Sequence, residues 1–223
     1  AYGLVFPQCN PAAAVSPASL IAATNGAMAA DLVLQVDRQV ASGGFVANDL
    51  ATVLVGANDV VAQFQQYPAV SEAQLTTNVK ASAATTGLQV NRMADLGAKV
   101  LISTIPDMGL TPFAGGRGTE SAAVLSRLSS AYNDSLRLTI TNDGRRIGLV
   151  LLNEYVLGSA AAADLASSGT AYVNAKDAAC ATALPACSTQ TLVSSTASGT
   201  TWFWADSQHL SAGAQAGLGA LAT

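Results

Sequence analysis

Residues 50–59 read Leu-Ala-Thr-Val-Leu-Val-Gly-Ala-Asn-Asp, and this stretch decides the fold. Leu50–Val55 is a continuous apolar run without a charge, the pattern of a strand buried on both faces. Gly56 closes it and permits a sharp turn as the chain leaves a sheet. Asn58 then projects from the carboxyl end of the strand. Two later runs repeat the pattern: Lys99–Ile105, stopped by Pro106, and Ile147–Leu152.

Helical periodicity fills the spaces between these runs. Ala27–Ala41 carries Leu32, Val36 and Val40 on one face and ends at Ser42-Gly43-Gly44. Ser71–Leu96 places Leu75, Val79, Leu88 and Met93 at apolar positions and ends at Gly97. Thr119–Asn142 is a further helix, broken by Asp143-Gly144, and Glu154–Ser167 another. Ala18–Thr24 reads as a short strand entering an Asn25-Gly26 turn. Cys180–Gly199 reads as loop, Thr201–Trp204 as a short strand and Ser211–Leu221 as a last helix. Apolar strands alternating with long helices specify an α/β protein with a parallel sheet. Function in such sheets gathers at the carboxyl ends of the strands.

Composition narrows the classes. A length of 223 residues suits a single domain, 1–223. With 50% hydrophobic and 11% charged residues the chain is not a disordered one. A net charge of −4, with 10 Lys+Arg spread thinly, argues against nucleic-acid binding. Mean hydropathy is +0.36. Even so, no apolar stretch approaches the roughly 20 residues of a spanning helix, so no transmembrane segment is expected. No signal peptide is read at Ala1.

Cys180 and Cys187 bracket a loop rich in Ala, Pro, Ser and Thr. The reading is a disulfide and an oxidising compartment; two buried free thiols are the alternative. Cys9 is left over. One His and three scattered Cys do not make a zinc site, and no cofactor is expected.

Two short motifs could carry chemistry. Asn58, in Gly56-Ala57-Asn58-Asp59, could donate its side-chain N–H to an oxyanion or serve with Asp59 as a turn pair. His209 is the single histidine, in Asp206-Ser207-Gln208-His209. An Asp three residues before a His can reach its ring nitrogen, fix its tautomer and stabilise the imidazolium. A surface His beside a capping Asp is the plainer alternative.

In order along one chain, G-A-N-D after a buried strand and D-x-x-H before a terminal helix resemble the SGNH hydrolases, or GDSL esterase/lipase family. LISTIPDMGLTP at Leu101–Pro112 looks like the family's Pro-Asp-x-Gly-x-Thr-Pro stretch, and Tyr132-Asn133 like its Tyr-Asn helix. Gly26, 32 positions before Asn58 (58 − 26), matches the second-block glycine. The resemblance spans roughly Leu20 to Thr223. It implies a flavodoxin-like three-layer α/β/α sandwich. It also implies a serine-type hydrolase of carboxylic esters working through an acyl-enzyme. His209 would be the general base and then acid, with Asp206 orienting it. The Asn58 side chain and the Gly26 backbone N–H would hold the oxyanion, each such donor supplying about 3–4 kcal/mol. Asp59 and Asp107 would brace turns. Trp202–Trp204 could wall an acyl pocket, with core packing as the alternative.

The family's Gly-Asp-Ser-Leu block is missing from these residues. Cys9 in Phe6-Pro7-Gln8-Cys9-Asn10 and Ser19 before Leu20 are poor substitutes. The nucleophilic serine, and the first strand that carries it, are therefore expected on an N-terminal segment outside the chain, whether cleaved, disordered or left out. If it stays bound the site can be complete, and if it is gone the chain alone is expected to be inactive. Expected substrates are small-molecule or lipid esters, and the expected location is secreted, periplasmic or cell-surface. A catalytically inactive binding module of the same fold is the alternative. A flavodoxin-like nucleotide site is a third reading, but Gly115-Gly116-Arg117-Gly118 does not directly follow a strand.

Overall fold

In the computed structural model, residues 19–142, 144–164 and 172–222 are described. Strands β1 (Leu50–Val53), β2 (Lys99–Ser103) and β3 (Ile147–Val150) form a parallel sheet in that order. Leu50 lies opposite Lys99, and Val100 opposite Ile147. Parallel neighbours need long crossovers, and helices supply them. Helix α1 (Ala29–Ala41) precedes β1; α2 (Ala57–Phe64) and α3 (Glu72–Asp95) join β1 to β2. A 3-10 turn at Met108–Leu110, α4 (Pro112–Gly115) and α5 (Thr119–Thr139) join β2 to β3. Among the described strands β1 pairs with β2 alone, so its other edge is free.

One face of this sheet builds the main core. Val53, Val100, Ile102 and Ile147 pack with Leu32 and Val36 of α1, Leu75 and Val79 of α3, and Val124 and Leu128 of α5. The other face shows Leu50, Thr52, Leu54, Lys99 and Gly148, all exposed. The run Leu50–Val55 is thus buried on one face, not on both as its composition implied. An apolar run records that both faces avoid charge; it does not record which layer covers each.

The rest of the chain builds a second centre. Helix α6 (Leu152–Asp164), β4 (Asn174–Ala178), β5 (Trp202–Trp204) and α7 (Ala212–Leu221) follow β3. β4 and β5 form a separate two-stranded parallel sheet. Leu152, Val156, Tyr172, Phe203, Trp204 and Leu210 pack together there, and the Trp204 Nε1–H donates to the Ala175 carbonyl at 2.9 Å. Trp202, Phe203 and Trp204 are all buried, which fits the core-packing alternative.

Several boundaries differ from the sequence expectation. Residues 19–24 form no strand, although Asn25-Gly26 is a turn, with Gly26 at φ 77°. The expected strand lacks a described partner, and its stretch carries little beyond Leu20 and Ile21 to bury. The expected single sheet is two. Strand β4 went unseen because Asn174-Ala175-Lys176-Asp177-Ala178 carries two charges and no apolar run. Asp143 and the end of the expected Glu154–Ser167 helix lie outside the described residues, as does Cys9.

Two adjacent residues of α5 tie the exits of β1 and β2. The buried Tyr132 hydroxyl donates to the Val55 carbonyl at 3.1 Å and is hydrogen-bonded to the Thr86 hydroxyl at 2.8 Å. The Asn133 amide closes a two-bond clamp on Ile105, accepting its N–H at 2.9 Å and donating to its carbonyl at 3.0 Å. Asn133 and Ile105 are buried, so Asn133→Ala strands a donor and an acceptor where water does not compensate. The expected loss is about 2–4 kcal/mol, read from urea unfolding. A loss below about 1 kcal/mol would show that water replaces the clamp.

Candidate functional site

Asp206 and His209 sit in a tight loop directly after β5. Trp204 and Leu210 bridge antiparallel across it, and the Ala205 N–H donates to the His209 carbonyl at 2.8 Å. The loop is pinned further by the Ser211 N–H, which donates to the Phe203 carbonyl at 2.9 Å. Ser211 also caps α7, accepting from the Ala214 N–H. A residue type that ends the loop therefore also starts the helix.

The Asp206 side chain is only 4% exposed, whereas that of His209 is 52% exposed. Nδ1 of His209 lies 2.9 Å from Oδ1 and 2.8 Å from Oδ2 of Asp206. Nε2, on the far side of the ring, points away from the carboxylate. Oδ1 of Asp206 also accepts the N–H of Gln208 at 2.9 Å and of His209 at 2.8 Å. Oδ2 accepts the N–H of Leu184 at 2.8 Å. Burial alone pushes the Asp206 carboxyl up. The N–H donors of Gln208, Leu184 and His209, with the ring bond, outweigh burial and hold it below the ordinary value. An ionised carboxylate on Nδ1 favours the tautomer that leaves Nε2 free to take a proton.

The second motif is held by a different device. Gly56 has φ 119°, and a Cβ there would lie 2.1 Å from Cζ of Tyr132. The turn thus requires glycine twice, for its conformation and for the ring beneath it. Asn58 stands in the first turn of α2, half-buried, and its amide donates to the Ala27 carbonyl at 2.9 Å. An amide nitrogen carries two hydrogens, so one remains for a ligand. Gly26, one residue before Ala27, is exposed and left-handed, with no atom within 4 Å of its Cβ position.

Asp59 completes this corner. Its buried carboxylate accepts the Ala29 N–H at 3.0 Å, capping α1 from a distant part of the chain. Asn58 and Asp59 therefore grip residues 27–29 from two sides. Burial pushes the Asp59 carboxyl above its ordinary value, further than the bonds from Ser82 and Ala29 pull it down. A raised carboxyl contributes stability that is fully present below the unfolded value, 3.8, and is lost as pH rises through the folded one. Asp59→Asn keeps an acceptor for Ala29 and removes the buried charge. The variant should gain stability relative to the wild type as pH rises above about 4, measured as melting temperature against pH. Parallel curves would contradict that account.

The segment after β2 joins the two motifs. Asp107 accepts the Gly109 N–H at 2.8 Å and the Ser126 hydroxyl at 2.7 Å, bracing the Met108–Leu110 turn. Beyond it, the Phe113 N–H donates to the Ser207 carbonyl at 2.9 Å, inside the Asp206–His209 loop. The Phe113 ring packs edge-on against Phe64 of α2, centroids 6.5 Å apart. Arg117 lies over the Phe113 ring at 3.7 Å, a cation–π contact rather than part of a phosphate loop.

Asp206 is thus brought onto His209, and Asn58 onto the Ala27 carbonyl next to Gly26; Phe113 links the two motifs, bonding Ser207 in one and packing on Phe64 of α2 behind the other. The Leu184 N–H and the Phe113 bridge were not visible in the pattern. Both are backbone donors, and no residue-type rule marks one. Among the described residues no group of three His, Cys, Asp or Glu could hold a metal ion. No described helix is long and apolar enough to cross a membrane. Neither a protein-family model nor a curated protein sequence matches the chain.

Proposed function

We propose that the chain is the larger part of an SGNH-type ester hydrolase and supplies its base pair and oxyanion donors. The observation that carries this reading is the Asp206–His209 pair: a buried, ionised carboxylate on Nδ1 of a half-exposed imidazole. The plain alternative, a surface His beside a capping Asp, accounts poorly for a carboxylate that also collects three backbone N–H groups.

In this reading a serine hydroxyl gives its proton to Nε2 of His209 as it attacks the ester carbonyl. The carbonyl oxygen becomes an oxyanion, met by the free Asn58 amide hydrogen and the Gly26 N–H. His209 then returns the proton to the leaving alkoxide, and water repeats the sequence on the acyl-enzyme. The serine belongs to a segment outside these 223 residues. Among the described residues no strand pairs the outer edge of β1, and Leu50, Thr52 and Leu54 face outward, which leaves room for a further strand and covering layer without requiring them. Substrates are carboxylic esters, and the disulfide fits an extracellular or periplasmic setting.

The test is hydrolysis of p-nitrophenyl acyl esters by the full-length gene product. The reading predicts turnover that disappears in His209→Ala. Absence of turnover across short and long acyl chains in the intact protein would leave the fold as a binding module instead.

A further inference from the structure

The loop closed by the Cys180–Cys187 disulfide reaches into the Asp206–His209 pair. Oδ1 of Asp206 is satisfied within its own turn by Gln208 and His209. Among the described residues the one backbone donor on Oδ2 is the Leu184 N–H, 22 residues away in sequence and inside the disulfide loop. A carboxylate held through one oxygen can still rotate about Cβ–Cγ. A donor on the second oxygen fixes its plane, and the plane sets where the Nδ1–H of His209 must point.

The two ends of the loop are anchored differently. At its start the Cys180 N–H donates to the Ala205 carbonyl at 2.9 Å, and the Ala181 N–H to the Thr191 carbonyl at 2.8 Å. Cys180 also bridges antiparallel to Leu192. Its far end is tied back by the S–S bond to Cys180, seven residues away in sequence. Cys180 is buried, but Cys187 is half-buried between exposed neighbours, Ala186 and Ser188, where a small reductant can reach it.

We propose that this disulfide loop is a positioning element of the site, acting through the Leu184 N–H on Asp206, so that reducing the disulfide loosens the Asp206–His209 pair. A dithiol reductant opens the S–S bond by two exchange steps. It gives two electrons and two protons, leaving two cysteine thiols, and is itself oxidised to a cyclic disulfide. The loop's far end then loses its covalent tie and keeps hydrogen bonds alone: Thr191 with Ser188, the Thr191 hydroxyl on the Ala186 carbonyl, and the Ala181 N–H on the Thr191 carbonyl. Only the catalytic consequence rests on the ester-hydrolase reading; the coupling of disulfide to histidine does not.

The test uses ¹⁵N-labelled full-length protein without an added histidine tag, oxidised and then treated with dithiothreitol, with far-UV circular dichroism confirming the fold. Ring ¹⁵N shifts of His209 report its tautomer, and amide exchange reports the Leu184 N–H. The oxidised protein is expected to show one tautomer, protonated at Nδ1, and a protected Leu184 amide. After reduction the tautomers should average, Leu184 exchange should quicken at least about tenfold, and ester turnover should fall about tenfold or more. Leu184→Pro, which deletes the N–H with the disulfide intact, should reproduce the tautomer averaging. An unprotected Leu184 amide in the oxidised protein overturns the proposal, and so does an unchanged His209 ring in the reduced, folded protein. A ring that responds in a protein without turnover in either state sinks the hydrolase reading and leaves the coupling standing.

Discussion

Gly56→Ala is expected to lower stability by at least about 3 kcal/mol, or roughly 6–12 °C in melting temperature for a chain of this size. The added methyl would lie 2.1 Å from Cζ and 2.4 Å from the hydroxyl of Tyr132. That ring is fully buried and its hydroxyl is bonded to Thr86 and Val55, so it cannot swing aside without abandoning both. The backbone adds its own cost, because φ 119° disfavours any side chain. Gly26→Ala provides the contrast. Its φ of 77° is left-handed too, but no atom lies within 4 Å of the new methyl. It should therefore cost only about 1–2 kcal/mol. Equal losses at the two glycines, by thermal or urea unfolding, would show that conformation alone sets the requirement and that the Tyr132 contact is incidental.

The second large effect falls on turnover. Asp206→Asn should lower kcat for ester hydrolysis about 10³–10⁴-fold, with KM little changed. An amide in that position can present its NH₂ to Nδ1, which favours the tautomer carrying the proton on Nε2 and removes the base. It also leaves one of the N–H donors from Leu184, Gln208 or His209 facing another donor, so a modest loss of stability accompanies the loss of rate. The pH dependence has a definite sign. Asp206 titrates below the ordinary carboxylate value, so its contribution to stability is present above that value. It is lost as pH falls through the folded one, in the acid limb below about pH 4. Asp206→Asn should flatten that limb of a stability-against-pH curve. A variant that keeps wild-type turnover would remove the reason for assigning Asp206 any orienting role.

The parts of the molecule legible in the sequence were those written in local pattern. The helices starting near Ala29 and Glu72 follow apolar spacing, the one starting at Thr119 was bounded by the Asp143-Gly144 break, and these and the helix starting at Ala212 all appear within a few residues of expectation. The disulfide followed from two cysteines closing a short irregular loop. Contact between Asp206 and His209 followed from their spacing in one turn. Other features depend on what meets what across the fold. Helix α2 was hidden because Ala57–Phe64 follows a glycine turn and is short. Strand β4 is polar by composition and is made a strand by its parallel pairing with β5. The face on which Leu50 and Leu54 lie is exposed because no described layer covers it, which an apolar run alone does not reveal. Tyr132 and Asn133 read as a motif, but their work, clamping the exits of β1 and β2, is visible only in three dimensions.

The most direct measurement is the intact mass of the full-length protein, wild type and His209→Ala, after treatment with a fluorophosphonate. A nucleophilic serine served by His209 displaces fluoride and keeps the phosphonyl group. The account predicts one adduct in the wild type, on a serine outside these 223 residues, and none in His209→Ala. A wild-type protein that takes up no label, or a His209→Ala variant labelled to the same extent, would contradict it.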